Sequence, residues 1–193
     1  NRAGVKEDDS VVIWGCGKVG QSILQAVRMK TAAPVIMVDV LGTRLQNAVK
    51  TWPDVTAVNA ADTDPLQAIK ALTSDKGVDV AFEAVGHAKP LPGRVNPVRG
   101  CVRSIRGGGT VCVLGLADEP VSLVMKELIW KEGTLITSRV SHGEYGDVID
   151  AMSRGHLEPE ALISDVIPAE RADEAFQMIR KEPENHLKVL LEF

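Results

Sequence analysis

The sequence predicts an α/β protein built on a doubly wound, parallel, six-stranded sheet and followed by a C-terminal α/β segment. Short continuous apolar runs alternate along the chain with stretches of helical periodicity, a pattern typical of parallel strands covered by helices on both faces. The apolar runs have the length of strands, and most are rich in β-branched residues, which favour strands. Because parallel strands are joined by crossover connections, the expected strand order is 3-2-1-4-5-6.

Six apolar runs account for this sheet. They cover residues 11–14, 35–38, 55–58, 78–82, 111–114 and 135–137. Two crossover helices are indicated by apolar residues that share one helical face, namely Val19, Ile23 and Val27 in the first and Leu66, Ile69 and Leu72 in the second. Asp64 and Pro65 give the second helix a capping side chain and a proline at its first position.

The connection after the fourth strand is longer than a usual loop and helix. Residues 87–106 contain Pro90, Pro92 and Pro97, which favour irregular structure over a regular element. We expect a loop followed by a short helix at residues 98–105.

The predicted alternation of strands and helices of the sheet ends after residue 137. A helix is indicated by Tyr145, Val148, Ile149 and Met152, with Gly155 as its C-terminal stop. A strand at 162–167, a helix bearing Ala172, Ala175, Phe176 and Ile179 on one face, and a strand at 188–191 follow. The chain is therefore expected to form a domain at 1–140 and a C-terminal segment at 141–193.

Composition and charge point to a small-molecule partner. The chain has 193 residues, 45% of them hydrophobic, and a net charge of −4. No apolar run approaches the length of about 20 residues that a membrane span needs, and no basic block would recruit nucleic acid or an anionic lipid surface. Cys16, Cys101 and Cys112 lack the close spacing of a zinc ribbon or redox dithiol, which favours a reducing, cytoplasmic compartment.

The beginning of the chain suggests a longer protein. Asn1 is not an initiating methionine, and the residues after it lack the apolar core of a signal peptide. We expect a domain boundary just upstream of the first strand.

The strongest local signal is Gly15-Cys16-Gly17-Lys18-Val19-Gly20, which follows the first strand and opens the first helix. In a dinucleotide-binding turn, the first glycine permits the tight turn, the second lets the backbone approach a diphosphate, and the third allows close packing of helix and strand. The amides near Lys18 and Val19 would then bind phosphates at the positive end of the helix dipole. A tight strand-to-helix turn without a ligand is the alternative.

Asp39 supports the binding interpretation. It ends the second strand at the offset where an acidic side chain accepts hydrogen bonds from both hydroxyls of the adenosine ribose. The same carboxylate would repel a 2′-phosphate, which predicts NAD rather than NADP. Asp39 as a simple turn or helix cap is the alternative. Arg44 could reach the ribose or phosphate edge, or it could be an ordinary solvated helix charge.

Several motifs in order make the chain resemble the coenzyme domain and C-terminal segment of zinc-containing medium-chain alcohol dehydrogenases, the group that includes sorbitol and threonine dehydrogenases. Beyond the glycine turn and Asp39, they lie at residues 77–86, 108–111, 114–116, 138–141 and 188–191. The resemblance runs from residue 4 to residue 193, and it implies a Rossmann fold that binds NAD.

The resemblance also implies contacts for individual residues. Gly17, Lys18 and Val19 would contact the pyrophosphate, and Asp39 and Arg44 the ribose. The walls of the adenine and nicotinamide pockets would be Ala84, Val85, Leu114 and Leu116, with backbone contacts to the carboxamide near residues 138–140. Ordinary packing at strand ends is the alternative for these wall residues.

The zinc ligands of such enzymes belong to an N-terminal domain that this sequence does not contain. His87, His142, His156 and His186 are scattered without ligand spacing, so we predict no metal site and no catalytic residue in this chain, with zinc bound by the missing domain. The insertion at 87–106 is longer than the resemblance implies. The glycine turn also lacks the paired alanines typical of the zinc-free quinone reductase branch.

Two residues that could suggest other chemistry are interpreted as structural. Cys16 lies at a helix N-terminus, where a thiol can become reactive, but it is expected to be an inert filler of the turn. Tyr145 has Ile149 rather than lysine four residues later, so the Tyr/Lys pair of short-chain dehydrogenases is missing.

The expected function is that of the NAD-binding domain of a zinc-type alcohol or polyol dehydrogenase, which oxidises an alcohol by hydride transfer to nicotinamide. The chain alone would bind cofactor without turnover. Residues 121–140 resemble the edge through which such enzymes pair, which implies a homodimer or homotetramer. The alternatives are a stand-alone nucleotide-sensing module and a zinc-free, NADP-dependent quinone reductase-type enzyme.

Overall fold

A computed structural model describes residues 1–87, 89–139, 141 and 143–193. The chain divides into two compact units, which cover residues 1–140 and 141–193. The helices of the described residues are all too short or too polar to span a lipid bilayer.

The first unit contains the predicted six-stranded parallel sheet. Its strands are β1 (Val11–Trp14), β2 (Val35–Asp39), β3 (Thr56–Asn59), β4 (Val78–Glu83), β5 (Ile105–Val113) and β6 (Thr134–Thr137). They are ordered β3-β2-β1-β4-β5-β6, so the predicted fold and strand order are confirmed. The order reverses between β1 and β4, and in such sheets ligands bind beyond the carboxyl ends of the strands at this point.

The connections of this unit contain five helices within the described residues. They are α1 (Lys18–Arg28), α2 (Gly42–Thr51), α3 (Pro65–Leu72), α4 (Pro97–Ser104) and α5 (Met125–Ile129). Helix α3 begins as predicted, since Asp64 Oδ1 accepts a hydrogen bond from the Leu66 amide at 2.9 Å. Asn96 caps α4 by accepting from the Arg99 amide at 2.9 Å.

Apolar side chains are buried on both faces of the sheet. In β1, Val12 and Trp14 join the cluster on one face, whereas Val11 and Ile13 join the cluster on the other. A strand buried on both faces needs apolar residues at successive positions, and this explains why the strand runs in this sequence are continuous rather than alternating.

Some predicted boundaries and helical faces were wrong. Strand β5 begins at Ile105 rather than at residue 111, and its register with β4 shifts between Val78 and Val80. The exposed fraction of Val19 is 40%, and that of Leu72 is 51%. The buried side of α1 contains Val27, as predicted, together with Gly20 and Leu24.

The second unit contains α6 (Tyr145–Ser153), β7 (Asp165–Pro168), α7 (Ala172–Lys181) and β8 (Val189–Glu192). Strands β7 and β8 pair in parallel. The strand predicted at 162–167 starts three residues later, because Pro159–Leu162 forms a 3-10 turn. Gly155 follows α6 with a φ of +70°, as a helix stop requires.

Candidate functional site

The glycine-rich turn between β1 and α1 packs tightly against its neighbours. Gly15 has a φ of +100°, and its amide donates to the Val38 carbonyl at 2.7 Å. A Cβ atom on Gly15 would lie 2.7 Å from the Ala84 carbonyl oxygen. A side chain therefore fits neither the conformation nor the space at this position.

Close approach also explains the last glycine of the turn. A Cβ atom on Gly20 would overlap the Gly15 carbonyl oxygen. Gly20 thus lets the first turn of α1 rest directly on the backbone that leaves β1, as the sequence pattern predicted.

The N-terminus of α1 is left open for an anion. Gly17 is its N-cap, no side chain of the described residues caps it, and the first turn contains no acidic residue. The first residues of the helix, Lys18 and Val19, are exposed. Unsatisfied amides and the helix dipole make such an end attractive to a phosphate.

The carboxylate of Asp39 faces this turn. Its Oδ2 accepts from the Cys16 amide at 2.6 Å, and its Oδ1 accepts from the Leu41 amide at 2.9 Å. A carboxylate oxygen can accept two hydrogen bonds, so each oxygen of Asp39 retains capacity for a ligand hydroxyl.

Arg44 is brought to the same place by α2. A Cβ atom on Gly17 would lie 3.6 Å from Arg44 Nη1, and the Arg44 carbonyl accepts from Cys16 Sγ at 3.3 Å. A cation therefore lies beside the open helix end, with the Asp39 carboxylate nearby.

The thiol of Cys16 is unreactive at neutral pH. Burial and, to a lesser extent, the negative charge of Asp39 raise the pKa of its thiol to about 12. The thiol is therefore protonated at neutral pH, which fits the expected role as a filler of the turn.

The predicted wall residues lie at the carboxyl ends of β4 and β5. The Ala84 amide donates to the Trp14 carbonyl at 2.8 Å, which ties the loop after β4 to β1. Val85 and Leu114 are partly buried against the core, whereas 69% of Leu116 is exposed. All of them lie at the same edge of the sheet as Asp39, and their contacts with a cofactor stay a prediction.

Sequence reasoning missed the role of Glu83. It ends β4, only 2% of it is exposed, and its carboxylate accepts hydrogen bonds from the loops after β4 and β5. An acidic residue that directly follows the apolar run at residues 80–82 was the available signal.

Other predicted positions are less informative. The Ser138 amide donates to the Val113 carbonyl at 3.0 Å, but Val140 and His142 lie outside the described residues. Within the described part of the chain, no group of three or more His, Cys, Asp or Glu side chains is arranged to hold a metal ion.

Comparisons with known proteins agree with this architecture. The family model for zinc-binding dehydrogenases matches residues 19–154. The L-threonine 3-dehydrogenase of Bacillus licheniformis is 29% identical over 183 residues, which cover 93% of this chain and 49% of that enzyme.

Solved structures show the same fold. The zinc-dependent alcohol dehydrogenase 2 from Streptococcus pneumonia superposes with a TM-score of 0.89 at 29% identity, over 99% of this chain and 53% of that one. A protein from E. coli CFT073 described as a short chain alcohol dehydrogenase, complexed with NADH, gives a TM-score of 0.88 at 23% identity. The match covers 100% of this chain and 54% of that one.

The matches extend over nearly the whole chain but only part of each relative. The chain spans about half the length of the curated relatives that it matches, with 52%, 49% and 48% covered in three of them. The family model covers residues 19–154, and the chain has the glycine turn and strand order described above. The chain therefore belongs to the zinc-binding dehydrogenase family.

Proposed function

We propose that this chain is the NAD-binding domain of a zinc-type alcohol or polyol dehydrogenase. The observation that carries the proposal is the position of the Asp39 carboxylate, 2.6 Å from the Cys16 amide inside the glycine turn. In that position the Asp39 side chain can accept hydrogen bonds from the ribose hydroxyls, while the N-terminus of α1 binds the diphosphate.

The residues present fit NAD. Gly17 has no Cβ to obstruct the approach of a diphosphate, and Arg44 Nη1 lies near enough to add a positive charge. The remaining acceptor capacity of Asp39 matches two ribose hydroxyls. Bound NAD supplies the hydride acceptor for oxidation of an alcohol carbon, and the part of this chain is to bind and orient it.

Asp39 also supports the choice of NAD over NADP. A 2′-phosphate would place negative charge beside a carboxylate, and like charges in contact disfavour binding. NADP would require Asp39 to turn away, which would break its bonds to the Cys16 and Leu41 amides.

The described residues contain no group of three or more His, Cys, Asp or Glu side chains that could hold zinc. We propose that the zinc ligands and the substrate site belong to the part of the relatives that this chain does not match. The proposal gives this chain no catalytic residue, and the chain alone is expected to bind cofactor without turnover.

The proposed assembly is a homodimer or homotetramer through β6 and α5. Within the described residues β6 pairs with β5 alone. At the end of α5, Ile129 is 67% exposed, and the following residue, Trp130, is 75% exposed. Edge strands and apolar patches favour association. The cytoplasm is the proposed compartment, since Cys16, Cys101 and Cys112 are free thiols.

The test is calorimetric titration of the chain with NADH and NADPH, with Asp39→Gly as the comparison variant. The unmodified chain should bind NADH at least about tenfold more tightly, equivalent to about 1.4 kcal/mol, and Asp39→Gly should lose most of that preference. Preference for NADPH in the unmodified chain would instead support a zinc-free reductase, and binding of neither nucleotide would refute the proposal.

A further inference from the structure

The buried carboxylate of Glu83 joins two loops at the carboxyl edge of the sheet. Its Oε1 accepts from the Val85 amide at 2.8 Å and from the Gly86 amide at 3.2 Å. Its Oε2 accepts from the Gly115 amide at 3.1 Å. One side chain thus satisfies three backbone donors, two from the loop after β4 and one from the loop after β5.

The two loops meet directly at this carboxylate. A Cβ atom on Gly115 would lie 2.5 Å from the Gly86 nitrogen and would overlap Glu83 Oε2. The Gly115 amide also donates to the main-chain carbonyl of Glu83 at 3.1 Å. Glu83 therefore contacts both loops where they meet.

The sheet order shows which half of a dinucleotide these loops would meet. The order is β3-β2-β1-β4-β5-β6, and the glycine turn that would bind the diphosphate follows β1. Asp39, which would hold the adenosine ribose, ends β2 on one side of that turn. The nicotinamide half must then extend to the other side, across the ends of β4 and β5.

We propose that Glu83 is a positioning residue for the nicotinamide half of the cofactor. The inference rests on the proposed function, because it assumes that a nicotinamide dinucleotide binds at this edge. Glu83 is too deeply buried to contact a ligand, with 2% of it exposed. It acts through the loops at residues 84–87 and 114–116, whose spacing defines the width of that part of the site.

The role requires a carboxylate. A carboxylate offers acceptors at both oxygens, whereas the glutamine side chain has one acceptor oxygen and one donor nitrogen. In Glu83→Gln, the side-chain oxygen can still accept from the Val85 and Gly86 amides. The side-chain nitrogen then faces the Gly115 amide, and neither of these two groups can accept a hydrogen bond. The substitution conserves volume, so its main effect is to push the loop after β5 away from the loop after β4.

The experiment compares NADH with ADP, which lacks the nicotinamide half, in calorimetric titrations of the 193-residue chain. Glu83→Gln should weaken NADH binding about tenfold, equivalent to about 1.4 kcal/mol. ADP affinity should change by less than about twofold, because Asp39 and the glycine turn are untouched. Thermal unfolding checks the fold, and Glu83→Asp, which retains a carboxylate but shortens its reach, is titrated in the same way.

Asp79→Asn is the matched control. Asp79 lies near the opposite end of β4 and also accepts a backbone hydrogen bond, from the Ser10 amide at 2.8 Å. The Asp79→Asn substitution should lower the stability of the fold without changing the ratio of NADH affinity to ADP affinity. Equal losses for both ligands in the Glu83 variants, or unchanged NADH binding, would overturn the positioning role while the proposed function stands. If the unmodified chain binds neither NADH nor ADP, the proposed function fails and the inference fails with it.

Discussion

The Asp39 carboxylate and the Cys16 amide, 23 residues apart in sequence, are joined by a hydrogen bond of 2.6 Å. The side chain that is proposed to hold the ribose therefore also holds the glycine turn in place. Binding and local stability share one residue, so a change at Asp39 has consequences even without a cofactor.

Asp39→Asn should destabilise the unliganded chain. An asparagine has one acceptor oxygen, so it cannot accept from both the Cys16 and the Leu41 amides as Asp39 does. Leaving one of these part-buried donors unsatisfied costs about 1 kcal/mol, measurable by urea unfolding without nucleotide. Asp62→Asn, at an exposed carboxylate that accepts from Asn59, should cost much less. Equal stability of Asp39→Asn and the unmodified chain would show that the turn does not depend on this side chain.

Gly20→Ala should damage both stability and cofactor binding. The new Cβ would overlap the Gly15 carbonyl oxygen, so α1 must move away from the end of β1. Overpacking of this kind costs about 1–3 kcal/mol, and the displaced helix end should lose affinity for NADH.

Gly146→Ala is the matched control for that substitution. Gly146 is also a helical glycine, in α6, but a Cβ atom added there would meet no described atom within 4 Å outside its own helix and chain neighbours. Alanine there should stabilise the chain by up to about 1 kcal/mol through helix propensity. A Gly20→Ala variant as stable as Gly146→Ala, with unchanged NADH affinity, would contradict the close-packing argument.

The sheet could be predicted from the sequence because its central strands β1, β2 and β4 are buried on both faces and therefore stand out as apolar runs. The start of β5 could not, since Gly107, Gly108 and Gly109 are typical of a loop, yet here they lie in a strand whose register with β4 is shifted. Periodicity also identified the apolar face of α6 but not its environment. Two residues of that face remain largely exposed, Tyr145 at 73% and Ile149 at 65%.

The candidate site shows the same division. The turn and Asp39 could be predicted because their spacing in sequence follows from the geometry of one strand, one turn and one helix. The role of Glu83 was missed, because its three amide donors come from two loops, and the contact with Gly115 spans 32 residues. The predicted strand order places β4 beside β5, but it does not show how the loops after these strands meet.

Asp79 should make stability depend on pH in the acid range. Burial acts to raise its pKa, but hydrogen bonds from Ser10 and Arg106 outweigh burial and hold the pKa below the usual value of 3.8. A carboxyl whose pKa is lower in the folded state stabilises the fold fully above its unfolded pKa. That stabilisation is lost as the pH falls through the folded pKa.

Asp79→Asn tests this dependence. At about pH 7 the variant should be less stable by about 1–2 kcal/mol, since hydrogen bonds to a charged acceptor are lost. The difference should shrink as the pH is lowered below about 4, which urea unfolding across the acid range can measure. A difference that stays constant from neutral to acid pH would show that the charge of Asp79 does not contribute.

Ile129→Lys should weaken self-association if β6 and α5 form the proposed interface. Ile129 is 67% exposed on α5, next to Trp130 and just before the edge strand β6. Burying an unpaired lysine in an apolar contact is strongly unfavourable, so the dissociation constant of the dimer should rise at least about tenfold. Sedimentation equilibrium of the unmodified chain and the variant measures this change.

Leu72→Lys is the matched control, because Leu72 is 51% exposed at the end of α3 and its substitution should leave association unchanged. A chain that stays monomeric at every concentration would contradict the proposed assembly. Equal association of all three proteins would place the interface elsewhere.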